Sequence, residues 1–203
     1  DDDSADEEWY YFKSNGKRAE NEKITYKGKS YYFDTDGKML TGWVTTGEGK
    51  ESVNEASTFE DGHTFYCDET GARVEGAWVK DVAPGVDDDD ADADEYWYYL
   101  KSSGKVATGK QANVKGQAFI MGNTADNMGQ MLTGWVGGEY DSSDKSYTYK
   151  EIGDEDSTTK LSDVDVAYYC LYDEDKADGH VQENKWVKTW RPEDAYDEDE
   201  DDD

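Results

Sequence analysis

Aromatic side chains are the residues of this sequence whose type and spacing could do chemistry. Between residues 29 and 44, the stretch KSYYFDTDGKMLTGWV places three aromatics before an Asp-Gly step and one tryptophan, Trp43, after a glycine. Ring faces stack on the C–H surfaces of sugars, and they attract quaternary ammonium groups, which cannot donate hydrogen bonds. Rings also stack on one another in a protein core. The segment therefore predicts either a site for a sugar or cation, or a core of stacked rings.

Metal and catalytic chemistry have less support in the sequence. The segment DTDGK (34–38) begins like a calcium-binding EF-hand loop, but position twelve of that loop is Thr45 instead of the closing glutamate. The two histidines, His63 and His180, have no second histidine or cysteine at ligand spacing. No Ser-His-Asp or Cys-His arrangement can be assembled. We therefore predict no catalytic residue, no metal site and no cofactor.

The composition excludes some partners and indicates an unusual core. The 203 residues include 21 basic and 50 acidic side chains, for a formal net charge of −29. Nucleic acids are bound by clustered Lys and Arg, so we expect no nucleic-acid partner. No apolar run approaches the roughly 20 residues of a membrane span, so we expect no membrane insertion. With 16 Tyr, 7 Trp and 5 Phe, the chain predicts a thin structure built on aromatic contacts.

Segments of the first half recur in the second half in the same order. WYYFKSNGK (9–17) matches WYYLKSSGK (97–105), and residues 26–44 match a stretch that contains four more residues and the same MLTGWV ending. A third and looser pair joins 64–80 with 167–188. Self-similarity of this kind is typical of a repeat architecture.

Each repeated unit reads as a β-hairpin. A short aromatic run, which favours a strand, precedes an Asn-Gly, Asp-Gly, Ser-Gly or Thr-Gly turn, and a second short run follows the turn. No stretch has a helical 3.6-residue apolar period, and KSYTYK (145–150) predicts an extra strand. A lone hairpin is barely stable in water, so the hairpins must share a core. The predicted fold is all-β, an elongated β-solenoid of about six stacked hairpins in two homologous halves.

Acidic runs suggest where the parts of the chain begin and end. The sequence also lacks an initiator methionine, so we expect it to be a segment of a longer chain. We predict an acidic linker over 1–8, a first three-hairpin unit over 9–85, an acidic connector over 86–96, a second three-hairpin unit over 97–190 and an acidic tail or linker over 191–203.

The two cysteines, Cys67 and Cys170, occupy matching positions in the third hairpin of each half. A small buried hydrophobe is the usual role of such a residue. Because one three-hairpin unit separates them, we expect them to lie beyond the roughly 7 Å Cα separation that a disulfide tolerates.

The motifs WYYFKSNGK and YYFDTDGKMLTGWV resemble the cell-wall-binding repeats of Gram-positive surface proteins, the family that includes choline-binding modules. Similar repeats occur in glucan-binding regions and in clostridial toxins. The resemblance implies a non-catalytic module, extracellular at the cell surface or cell wall, that is covalently linked to neighbouring modules. Its implied partner is a cell-wall polymer, such as the choline of teichoic acid, or a glycan. The alternative is a structural spacer or stalk of a larger adhesin or secreted enzyme.

Choline-binding members hold their ligand in a box of aromatics drawn from a Gly-Trp pair and a WYY triplet. Glu22 and Lys110 stand in place of the Gly-Trp tryptophan in two hairpins, so the expected box is incomplete. A choline-type ligand and a glycan therefore both stay open, as does a purely structural role for each ring. The resemblance marks seven candidate ligand-binding residues, with the first three as the most complete set: Trp78, Trp97, Tyr98, Trp43, Trp135, Trp9 and Tyr10.

Overall fold

The computed structural model describes residues 7–47, 52–60, 62–87, 90–152, 159–171 and 178–189. Within these ranges the secondary structure is β, apart from one 3₁₀ turn at Leu161–Asp163, so the all-β class is confirmed. None of the described residues form a helix with the length and hydrophobicity that a membrane crossing requires. The strands are β1 (Glu22–Tyr26), β2 (Lys29–Phe33), β3 (Gly42–Thr45), β4 (Asn54–Glu55), β5 (Thr64–Cys67), β6 (Ala77–Val82), β7 (Glu95–Leu100), β8 (Gly109–Val114), β9 (Gln117–Met121), β10 (Gly134–Asp141), β11 (Ser146–Glu151) and β12 (Val166–Cys170).

Tight glycine turns give the chain its repeat. In the second turn, the Asp34 carboxylate accepts bonds of 2.9 Å from the backbone N–H of Asp36 and of Lys38, which fixes the loop. This is the reason that aspartate suits the first turn position. Six isolated antiparallel bridges lie among the described residues, in agreement with six predicted hairpins. The bridges are Phe12–Arg18, Phe33–Met39, Cys67–Arg73, Leu100–Val106, Met121–Met131 and Cys170–Val181.

The longest ladders run between consecutive turns. The strand that leaves one turn pairs antiparallel with the strand that enters the next, in β1–β2, β3–β5, β6–β7, β8–β9 and β10–β12. The sequence prediction centred each hairpin on its glycine turn, where the structure has only a short bridge. The difference arises because the chain also forms tight hairpins between the glycine turns. The two-residue turn Lys27-Gly28, which joins β1 to β2, has positive φ at both positions, as a tight hairpin requires.

The chain divides into two compact units, Asp1–Val106 and Ala107–Asp203, called here the first and second unit. The predicted boundaries of the acidic linker, connector and tail stay a prediction. In the structure, the stretch predicted as a connector follows β6 and runs into β7, which begins at Glu95. Since β6 and β7 pair along six residues, this stretch links two strands of one sheet.

Each unit has small cores that mix aromatic and aliphatic side chains. In the first unit, one cluster gathers Tyr32, Leu40, Val44, Val53, Phe65 and Cys67. In the second unit, a cluster gathers Ile120, Leu132, Val136, Tyr149, Cys170 and Val181. Both cysteines are buried and free, as predicted. Burial raises the pKa of each thiol to about 12, so neither is poised to react.

An extra strand lies at the second edge of one central strand in each unit. In the second unit it is β11, which confirms the strand predicted at 145–150. In the first unit it is the two-residue β4, which the sequence did not reveal. The two are equivalent because Ala56 donates a 2.8 Å backbone bond to Trp43, and Ile152 donates one of 2.8 Å to Trp135.

Candidate ligand-binding site

The first unit carries an open groove of about 590 Å³ whose walls are mostly rings. We call it the aromatic groove. Ile24 and Met39 complete its apolar surface, and Glu69 and Thr70 add polar atoms. Its six aromatic lining residues are Trp9, Tyr10, Tyr11, Tyr26, Tyr31 and Phe33.

Strand alternation assembles most of the groove. In the β1–β2 ladder, Ile24 lies opposite Tyr31, and Tyr26 is two residues further along β1. Side chains two residues apart share a face of a sheet, so these three project to one side together with Phe33. The ring of Tyr11, from the first turn unit, lies 6.1 Å from that of Tyr26 and 6.2 Å from that of Phe33. Two successive repeats therefore build the wall.

Two of the predicted site residues, Trp9 and Tyr10, lie in this groove. The carbonyl oxygen of Trp9 accepts a 2.9 Å bond from the backbone N–H of Met39, which fixes the strand beside the second turn. The Trp9 side chain is 74% exposed, and Tyr10 and Tyr26 are 44% and 46% exposed. Their ring faces are consequently open to solvent and can contact a ligand.

Cations already occupy positions over two of these rings. The Arg18 guanidinium carbon lies 5.5 Å from the centroid of the Tyr10 ring, and the Lys27 ammonium lies 5.1 Å from that of Tyr26. Arg18 is also bonded to Glu20 at 2.7 Å. Such contacts are expected because the ring quadrupole attracts positive charge. The ring faces of this region therefore suit cations as well as sugar C–H surfaces.

Trp43 has a different environment, although its motif placed it among the candidates. Its side chain is 7% exposed, and its indole Nε1 donates a 2.8 Å bond to the Val82 carbonyl oxygen. Three rings meet it edge to face, with centroids 5.1, 5.0 and 4.8 Å away, and they belong to Phe59, Tyr66 and Tyr98. The cage around Trp43 is therefore filled by the protein itself.

The contact of Phe59 with this ring cluster was not predicted from the sequence. Phe59 belongs to the long segment between β3 and β5, and its ring contacts both Trp43 and Tyr98, the latter at 5.6 Å. A polar cavity of about 780 Å³ borders the same Trp43 and is lined by four carboxylates. Those carboxylates attract cations in general, but the closed ring cluster offers them no open aromatic face.

The set predicted as most complete, Trp78 with Trp97 and Tyr98, is only partly brought together. The β6–β7 register pairs Trp78 with Tyr99 and Lys80 with Trp97, so both tryptophans lie on one face of this sheet. Tyr98 lies on the opposite face, is fully buried and packs on Trp43. The triplet Trp97-Tyr98-Tyr99 therefore places aromatic side chains on both faces of β7.

In the second unit, Trp135 is half-buried and meets Tyr169 edge to face, with centroids 5.6 Å apart. Its sheet also carries a row of tyrosines that sequence reasoning missed: Tyr140, Tyr147, Tyr149 and Tyr168. The Lys110 ammonium lies 4.4 Å from the centroid of the Tyr168 ring at one end of this row. The alternating YTY of residues 147–149 was the signal that could have indicated it.

The comparisons with known proteins agree with these repeats. Residues 4–17, 24–39 and 92–106 match the family described as "Putative cell wall binding repeat". The resemblance stated from the motifs is thereby confirmed over these three segments. The first two of these segments contain every lining residue of the aromatic groove except Glu69 and Thr70.

Streptococcal proteins are among the curated relatives. A 105-residue region is 30% identical to a "Putative endo-beta-N-acetylglucosaminidase" of Streptococcus pneumoniae, and it covers 52% of this chain and 12% of that protein. A 109-residue region is 32% identical to Glucosyltransferase-S of Streptococcus mutans, and it covers 54% of this chain and 6% of that protein. The chain thus matches only a small part of the length of either relative.

A solved structure supports the fold. The crystal structure of CbpF in complex with ipratropium superimposes with a TM-score of 0.50 at 23% sequence identity. The match covers 92% of this chain and 40% of that chain. At this identity the likeness concerns the fold alone, which agrees with the antiparallel hairpins described above.

Proposed function

We propose that this chain is a non-catalytic, extracellular cell-surface module that binds a cell-wall polymer or glycan through the aromatic groove. The observation that carries the proposal is the groove itself, where six rings line one cavity and Trp9 is 74% exposed. Large exposed rings are costly to leave in water, and contiguous apolar patches on a surface usually mark an interaction site.

The chemistry of the groove suits ligands with C–H surfaces. A sugar ring offers such a surface, and so does the methylated ammonium group of choline. An exposed cation–π contact contributes only about 0.5–1 kcal/mol, so one groove would bind a single small ligand weakly. A wall polymer presents its groups many times, and linked modules could then bind it with far greater avidity. This fits a repeat segment that is joined to other modules of a longer protein.

The repeat matches support the location of the site. The segments 4–17 and 24–39, which match the cell wall binding repeat, include Trp9, Tyr10 and Tyr26. The proposal assigns binding to these residues and a structural role to Trp43. It leaves Trp78, Trp97 and Trp135 as further candidate contacts, since each is half-buried.

A spacer function is the second candidate, and Trp43 is the observation that favours it. Its indole is enclosed by three rings and bonded to Val82, so the strongest family motif of the first unit serves packing alone. If every ring had this role, the chain would only hold neighbouring modules apart.

Sedimentation with purified Gram-positive cell walls separates the two functions. We expect the full chain to sediment with the walls, and the Trp9→Ala/Tyr26→Ala variant to remain in solution. Tyr140→Ala is a matched control, because Tyr140 is an equally exposed tyrosine of the second unit, and we expect it to sediment normally. Free choline or soluble wall glycan as competitor would identify the ligand. A wild-type chain that never sediments would favour the spacer.

A further inference from the structure

We propose that Glu69 makes the aromatic groove selective for a positively charged ligand over a neutral one of the same shape. The inference rests on the proposed function, because it assumes that the groove is the binding site. It concerns a residue outside the aromatic motifs: Glu69 comes from the third turn, whereas the rings come from the first two turns and the strands between them.

Glu69 is the one charged side chain among the described lining residues of the groove. Within the described part of the chain, its carboxylate is not engaged in any ion pair or side-chain hydrogen bond. By contrast, Glu20 is paired with Arg18, and Glu8 is paired with Lys38 at 3.0 Å. The groove therefore combines uncharged ring faces with a single available negative charge.

Hydrogen bonds to the Asp68 carboxylate fix the backbone of the turn that carries Glu69. The Asp68 carboxylate accepts bonds from the backbone N–H of Thr70 at 2.9 Å and of Ala72 at 3.0 Å, and from the Thr70 hydroxyl at 2.5 Å. Gly71 lies against the side chain of Met39, which itself lines the groove. The position of the Glu69 backbone is thus set before a ligand arrives, which reduces the ordering cost of binding.

A local charge acts differently from the charge of the whole chain. The net charge of −29 attracts every cation diffusely and does not specify one site. A carboxylate at the rim of the groove adds local attraction for a charged ligand seated on the rings, and it adds none for a neutral ligand. Lys27 has the opposite sign and lies over the Tyr26 ring. Removal of the two charges should therefore change cation affinity in opposite directions.

The test uses two small probes of the same shape on the full chain. Choline carries the charge, and 3,3-dimethylbutan-1-ol replaces its quaternary nitrogen by carbon. Binding is followed by the shift of the Trp9 indole N–H signal in nuclear magnetic resonance titrations. We expect Glu69→Gln to weaken choline binding about threefold at low salt, the size typical of an exposed charge pair, and to leave the alcohol unchanged. Lys27→Gln should strengthen choline binding.

Asp36→Asn is the matched control, since it removes one negative charge from the turn before that of Glu69. It does not line the groove, and we expect it to leave choline affinity unchanged. Equal effects of Glu69→Gln and Asp36→Asn, or equal loss of both probes in Glu69→Gln, would overturn the selectivity. If choline does not move the Trp9 signal while the chain still sediments with walls through the groove, the ligand is neutral and only this inference fails. If the chain does not sediment either, the proposed function has failed.

Discussion

Trp43 and Val82 are 39 residues apart in the chain and are joined by a 2.8 Å hydrogen bond from the indole Nε1 to the carbonyl oxygen. This bond connects β3 with the end of β6. The two strands belong to different sheets of the first unit, and no ladder joins these sheets. Trp9 has no comparable enclosure and is 74% exposed. Tryptophans of one repeat family thus serve the core at one position and present a surface at another.

Replacement of Trp43 should destabilise the first unit. Trp43→Ala removes a buried ring, its contacts with Phe59, Tyr66 and Tyr98, and the bond to Val82, and such truncations cost about 3–5 kcal/mol. Trp186→Ala is the matched control, since Trp186 is fully exposed, and it should stay within about 0.5 kcal/mol of wild type. Urea unfolding followed by circular dichroism measures both. Equal stability of the two variants would show that the packing of rings around Trp43 does not stabilise the first unit.

The packing of Met39 on Gly71 should make that glycine hard to replace. Gly71 has φ +75°, and an added Cβ would overlap the Met39 side chain. Gly16 has φ +78° at the same turn position, but nothing lies within 4 Å of an added Cβ. Gly16→Ala should therefore cost only the strain of the left-handed conformation, about 1–2 kcal/mol, and Gly71→Ala about 1–3 kcal/mol more from overpacking.

A double-mutant cycle separates these terms. Met39→Ala should be less destabilising in the Gly71→Ala background than in the wild type, because the shortened side chain relieves the overlap. Strictly additive losses in the free energy of unfolding would contradict the contact.

Alkaline pH should weaken the fold through its two buried thiols. Burial raises the pKa of Cys67 and of Cys170 to about 12, whereas an unfolded thiol titrates near about 8.5. Because the unfolded chain loses these protons first, their contribution to stability is complete below about pH 8.5 and falls progressively towards pH 12. We expect the free energy of unfolding to fall over this window, and less steeply in the Cys67→Ala/Cys170→Ala variant. Identical slopes would show that the thiols are not the cause.

Local signals made much of the fold predictable. The Asp-Gly and Asn-Gly steps, together with an aspartate such as Asp34 at the first turn position, specify turns whose bonds lie within five residues. The number and order of the turns followed from those signals. The β3–β5 ladder was harder to predict, because a long polar segment separates Thr45 from Thr64 and conceals the pairing.

Exposure of individual rings depends on residues distant in sequence. Nothing in the Gly-Trp motif indicates that Phe59 and Tyr98 cover Trp43, because both come from other parts of the chain. The aromatic groove likewise needs Glu69 from a later turn. Sequence reasoning could therefore select the ring types that bind ligands, while the choice between Trp9 and Trp43 required the tertiary structure.

We expect wall ligands to contact the rings around Trp9 and to leave the ring cage of Trp43 closed. Each tryptophan gives its own indole N–H signal in a ¹⁵N correlation spectrum, so one titration with soluble fragments of Gram-positive cell wall reports on both. The Trp9 signal should shift in a saturable way, while those of Trp43 and of the exposed Trp186 should stay fixed. A shift of the Trp43 signal with an unchanged Trp9 signal would contradict this expectation.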